Sequence, residues 1–158
     1  GKKWHKSYYD LFDKRRTSKS CFGDVLHELH CRTKRVEASF ASKMVASIDP
    51  KQPVIDRWIL PHVGMKLLRL GTPDAKQATA RKIHADLAAC YRGYLRTADG
   101  RALVAEFKKQ YPSKEISKVK MLDFVIWKTE KSKNSPKRLN SFDTPCKHDR
   151  QTNLHSRA

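Results

Sequence analysis

A chain of 158 residues, 39% hydrophobic and 32% charged, is the length of one ordinary domain and long enough to bury a core. Its 34 Lys and Arg against 16 Asp and Glu leave a net charge of +18, a potential that attracts polyanions and repels other basic chains. No apolar run approaches the ~20 residues of a membrane-spanning helix, and the opening GKKWHKSYYDLF lacks the apolar stretch of a signal peptide, so the expected location is the cytoplasm.

Strand signals are nearly absent, while apolar residues recur at i, i+3, i+4 and i+7, so the expected fold is all-α, a compact bundle of about six helices. Residues 1–17 read as a basic lead-in that opens on Gly1 rather than Met, which points to a segment upstream. A single helical domain is expected over residues 18–128. Its first helix follows Ser18 or Ser20 as cap, with Phe22, Val25, Leu26 and Leu29 on one stripe and Lys19, Asp24 and Glu28 outward. The next covers residues 36–48, with Val36, Phe40, Met44, Val45 and Ile48 inward, and Asp49-Pro50 ends it because a residue before proline disfavours the helical region. A third is expected over residues 56–60, kinked or ended by Pro61, with Val63, Met65, Leu67 and Leu68 continuing helically to Gly71.

Thr72-Pro73-Asp74 combines a capping hydroxyl, a proline at the first helical position and an acid facing the helix dipole. The helix it opens is the longest expected, with Ile83, Leu87, Cys90, Tyr91, Tyr94 and Leu95 inward and an end near residues 98–100. A further helix carries Leu103, Val104, Phe107 and Tyr111 as far as Pro112-Ser113, and the last carries Ile116, Val119, Leu122, Val125 and Ile126 before Trp127. Residues 129–158 are polar and basic with few core formers and read as a disordered tail. The charge excess is not confined to the ends, since residues 21–127 hold 19 basic and 11 acidic side chains.

Cys21, Cys31, Cys90 and Cys146 fall at wide, irregular intervals without a paired C-x-x-C, and reduced thiols are expected. Cys21, His27, His30 and Cys31 carry metal-capable atoms, but only partners three or four residues apart share a helix face. No metal and no cofactor are therefore expected. Trp58, Trp127, Phe22, Phe40 and Phe107 read as core aromatics, and Asp123 as one half of an ion pair.

The segment DPKQPVIDRWILP, residues 49–61, raises the functional question. Asp56 reads either as a cap that accepts amide protons at the start of its own helix or as a catalytic carboxylate, and the sequence leaves both open. Lys34, Arg35, Lys43, Lys51 and Arg57 lie close to it in sequence and are the candidate phosphate contacts, with Trp58 as a candidate stacking ring. Farther on, Arg81, Arg92 and Arg96 share one helix face at ~100° per residue.

The order of helix, connector DPKQPVI, Asp56 and RWIL resembles part of the helix-hairpin-helix DNA glycosylase superfamily, where a loop ending in Pro-Val-Asp presents an aspartate to a flipped nucleotide. Pro53, Val54, Ile55 and Asp56 carry the likeness, followed by Trp58, Ile59 and Leu60. It also extends to a family of small bacterial proteins sharing Ser-Phe-Ala-Ser-Lys, Asp-Pro, Pro-x-x-Asp and a late Leu-Asp-x-x-x-Trp, here Leu122, Asp123 and Trp127. The resemblance implies an all-α DNA-repair fold with Asp56 catalytic. The superfamily's glycine hairpin has no counterpart in residues 29–35, and Lys43, 13 residues before Asp56, is off the register of its lysine nucleophile.

Three functions follow as expectations. The first is a helical protein that binds nucleic acid, DNA above all, through basic surface without a membrane partner. The second is a glycosylase-like base-excision enzyme using Asp56, and the third a protein-interaction module of a bacterial stress or defence system. Oligomeric state is left open.

Overall fold

Trp4, Tyr8, Leu11 and Phe12 recur at helical spacing, and the segment expected as a lead-in is the first helix, α1 (Lys2–Arg15). Its Leu11 is fully buried, and Tyr8 and Phe12 pack against the core. The computed structural model describes residues 2–18 and 20–133, which form seven helices and, among the described residues, no strand. The tail expected to be disordered lies outside the described residues except for 129–133, which extend the last helix.

Helix α2 (Phe22–Thr33) is capped by Cys21, whose Sγ accepts the Asp24 amide at 3.4 Å, and not by Ser18 or Ser20. It ends on Lys34 in the left-handed region at φ 60°, with its amide on the His30 carbonyl at 2.7 Å. Helix α3 (Ala38–Ile48) stops at Asp49 as the following proline requires. Helix α4 (Ile59–His62) starts later than expected and contains Pro61, which a first turn tolerates because its missing amide would have had no intrahelical acceptor. The continuation to Gly71 is not helical. Gly64 sits at φ 71° and turns the chain, and Met65 N–H bonds the Leu60 carbonyl.

Helix α5 (Pro73–Tyr94) begins where expected, with Thr72 Oγ1 accepting the Ala75 amide at 3.2 Å. Helix α6 (Ala98–Gln110) starts at residues 98–100, the expected junction between the long helix and the next, and Thr97 caps it by accepting the Gly100 amide at 3.1 Å. Helix α7 (Lys118–Lys133) is capped by Ser117, which accepts the Lys120 amide at 3.1 Å.

Helix α2 packs on α1, α3 and α5, while α7 packs on α4 and α6. Phe22, Val25, Leu26 and Leu29 of α2 meet Met44, Val45, Ile83 and Leu87, and Leu122 and Ile126 of α7 join the same cluster. Each such side chain contributes about 1.5–3 kcal/mol on burial. Of the five aromatics expected in the core only Phe22 is there: Trp58 and Phe107 are half-buried outside the core cluster, Phe40 is 41% exposed and Trp127 is 38% exposed. Tyr111, expected inward on α6, is exposed as well. No helix among the described residues is long and apolar enough to cross a membrane.

Candidate nucleic-acid interface

The connector between α3 and α4 carries Asp56, and four side chains from other elements hold its backbone. Ser117 donates its hydroxyl to the Pro50 carbonyl. His84 of α5 reaches the Pro53 carbonyl, the Val54 amide bonds Asp123 of α7, and the Ile55 amide donates to Ser42 Oγ of α3 at 2.9 Å. Asp49 closes the near end by accepting the Lys51 amide at 3.0 Å and the Gln52 side-chain amide at 2.9 Å. With Pro53 and Ile55 buried, the loop is fixed by partners on three helices and the turn before α7.

Burial pushes His84 below its ordinary pKa, opposed by the bond to Pro53, and its ring stacks on Phe22 at 4.2 Å. Asp123 is raised to about 6, because burial outweighs the opposing Lys120 charge and the bonds from Tyr91, Val54 and Lys120. Its partners are Tyr91 Oη at 3.0 Å and Lys120 Nζ at 3.4 Å. The ion pair expected for Asp123 is therefore made with its own helix, and Tyr91 couples it to α5.

Asp56 Oδ1 accepts the Trp58 amide at 2.9 Å, an Asx turn leading into α4, and the Asp56 carbonyl accepts the Leu60 amide. Its Oδ2 lies 3.4 Å from Lys43 Nζ. The carboxylate is 16% exposed and the lysine 46% exposed, so the pair sits at the surface with its amine outermost. Asp56 thus makes an Asx turn and a charge pair but does not cap α4, whose N-cap position is Trp58 without a side-chain cap bond. An exposed pair of this kind contributes at most about 1 kcal/mol.

Arg57 lies over the Trp58 ring at 4.7 Å, so that half-buried indole carries its own cation on one face. Lys43, Asp56, Arg57 and Trp58 are brought together, with Lys51 in the same connector. Lys34 and Arg35 precede the first residue of α3, whereas Lys43 lies at the middle of that helix. Arg35 pairs with Glu37 at 2.8 Å, whereas Lys34, Lys51 and Arg57 are exposed with no carboxylate within ion-pair distance among the described residues. Arg81 leaves the expected arginine stripe by turning to α2, where its guanidinium reaches the Gly23 carbonyl at 3.5 Å, and Arg96 falls beyond the end of α5.

No family model, curated protein or solved structure matches this chain.

An open cavity of about 530 Å³ lies away from Asp56, lined by Arg15, Asp24, His27, Glu28, Cys31 and Arg81. Glu28 bonds Lys14 at 2.9 Å, Arg15 at 2.6 Å and Arg32 at 2.8 Å. Burial would raise its pKa, but these three cations hold it down at about 2. Of the four metal-capable residues on α2, His27 and Cys31 approach each other at 3.5 Å while Cys21 caps the helix. No three His, Cys, Asp or Glu side chains gather as a metal site among the described residues. Cys21 and Cys31 are free thiols, as expected, but Cys90 is disulfide-bonded.

The residues that sequence reasoning missed are the loop clamps Ser42, His84 and Ser117. Ser42 and His84 fall on inward positions of their helices, and a polar side chain on an apolar stripe is the signal that marks such a role.

Proposed function

We propose that the protein binds nucleic acid through the basic surface along α3 and the connector that follows it. The observation that carries this reading is the exposure of Lys34, Lys51 and Arg57 without carboxylate partners, beside Lys43, in a chain of net charge +18. Cations so placed release counterions when they meet phosphates, and affinity then falls steeply with salt. The ~16 Å from one end of α3 to the other spans about five nucleotides at 3.4 Å per step.

The test is DNA binding by fluorescence anisotropy across a salt series, comparing wild type with Lys34→Glu/Lys51→Glu/Arg57→Glu. None of these three residues is in an ion pair among the described residues, so the variant is expected to fold. Its salt slope should flatten by about 2–3, at ~0.7–0.9 for each phosphate no longer neutralised. Charge reversal of Lys108 and Lys109 on α6 should change it less. Equal effects of the two variants would defeat the proposal.

A second reading, base excision with Asp56 as the catalytic carboxylate, is supported by the contact between Lys43 and Asp56 on a clamped loop. A carboxylate there stabilises positive charge developing on a sugar as the glycosidic bond breaks. Under this reading Asp56→Asn binds damaged duplex normally and releases no base. A wild type inactive on every lesion of a broad panel rules it out.

A further inference from the structure

An aromatic surface adjoins the Lys43 and Asp56 pair. Phe40 projects from α3 one turn before Lys43 and is 41% exposed, and Tyr9 on α1 is 62% exposed. The Phe40 ring meets Trp4 edge-on at 4.6 Å and Tyr8 at 5.9 Å, and Trp4 and Tyr8 stack on each other at 5.4 Å and 13°. Lys43 Nζ lies 5.9 Å from the Phe40 centroid as well as 3.4 Å from Asp56. One cation therefore touches both the ring and the carboxylate. Lys3, His5 and Lys6 on the first turns of α1 are exposed, and that helix has no acid in its first turn.

Resting on the nucleic-acid reading above, we propose that Phe40, braced by Trp4 and Tyr8, is a stacking platform for an unpaired base, and that single-stranded nucleic acid is the preferred ligand. Edge-on packing supports one side of the Phe40 ring, Lys43 Nζ stands over it at 5.9 Å, and the side chain keeps 41% exposure for a base to lie against. Lys43, Lys3 and Lys6 supply charge for the phosphates on either side of a base laid against it. A duplex satisfies the cations but keeps its bases stacked on one another, so it gains nothing from the ring. Single strands gain both terms, because every base presents a π-face. Trp58, the sequence's candidate for this role, is half-buried and has Arg57 at 4.7 Å from its ring, closer than Lys43 stands to the exposed Phe40.

The experiment compares the full chain with Phe40→Ala and Phe40→Trp, measuring binding of an oligothymidylate of about 16 nucleotides and of a hairpin duplex at one salt concentration. Wild type should favour the single strand. Phe40→Ala should weaken single-strand binding by about five- to a hundredfold, leave duplex binding unchanged and leave the salt slope intact. Phe40→Trp should restore the preference. If Phe40→Ala binds both ligands as wild type does, the platform is wrong and the nucleic-acid reading stands. If wild type binds neither ligand at any salt concentration, that reading falls and takes the platform with it. Loss of a concentration-dependent self-association in Phe40→Ala, with single-strand binding unchanged, would make the rings a protein contact instead and overturn the proposal.

Discussion

Replacing Asp123 by asparagine separates the charge of this buried side chain from its shape. In the fold its pKa is raised from 3.8 to about 6, so between those values the folded chain holds a proton that the unfolded chain releases. The stability due to that proton is complete below 3.8 and is lost as the pH rises through about 6. At about 1.4 kcal/mol per pKa unit, ionising Asp123 in the folded state costs about 3 kcal/mol by neutral pH. Asparagine keeps an acceptor for Tyr91 and does not ionise, although it surrenders the oxygen that Lys120 Nζ approaches at 3.4 Å. Urea unfolding of both proteins, followed by circular dichroism from about pH 4 to about pH 7.5, isolates the effect because other titrating groups cancel in the difference. The stability of Asp123→Asn relative to wild type should rise by about 2 kcal/mol over that range, whatever constant offset the lost oxygen adds. A pH-independent difference would show that Asp123 titrates alike in the folded and unfolded chains, and the burial argument would fail.

A Cβ at Gly100 would lie 2.1 Å from the Tyr94 carbonyl oxygen and 2.8 Å from Leu95 Cα, so Gly100→Ala should cost about 1–3 kcal/mol, read as a lower urea midpoint. Glu28 behaves oppositely to Asp123: its three cations stabilise the fold above pH 4.5 and that contribution disappears as the pH falls towards about 2. Acid titration of Glu28→Gln should therefore show a shallower loss of stability than wild type in that window, by on the order of 1 kcal/mol after solvent screening. Glu130→Ala strands the buried His62 Nδ1, now 2.7 Å from Glu130 Oε1, and should cost about 1–3 kcal/mol in chemical denaturation. Asp56→Asn retains the acceptor for the Trp58 amide and should cost less than about 1 kcal/mol, whereas Asp56→Ala loses the turn as well and should cost about 1 kcal/mol more by thermal melting.

The sequence by itself determined the helical class and most of the core. The stripes Phe22, Val25, Leu26, Leu29 and Ile83, Leu87, Tyr91 follow from a 3.6-residue repeat that any helix must obey, and Thr72-Pro73-Asp74 starts a helix through contacts made within one turn. Such signals are local, so no knowledge of distant residues is needed to read them. Tertiary structure alone decided which side of α3 faces solvent at Phe40, since that depends on where α1 lies and what its Trp4 and Tyr8 cover. It also decided that Lys43 meets Asp56, and that Ser42, His84, Ser117 and Asp123 converge on one connector from as far as 69 positions away, the separation of Asp123 from Val54. A hydrogen bond or ion pair across the fold leaves no periodicity in the chain. It exists only where packing of the apolar stripes brings the two partners within about 3 Å.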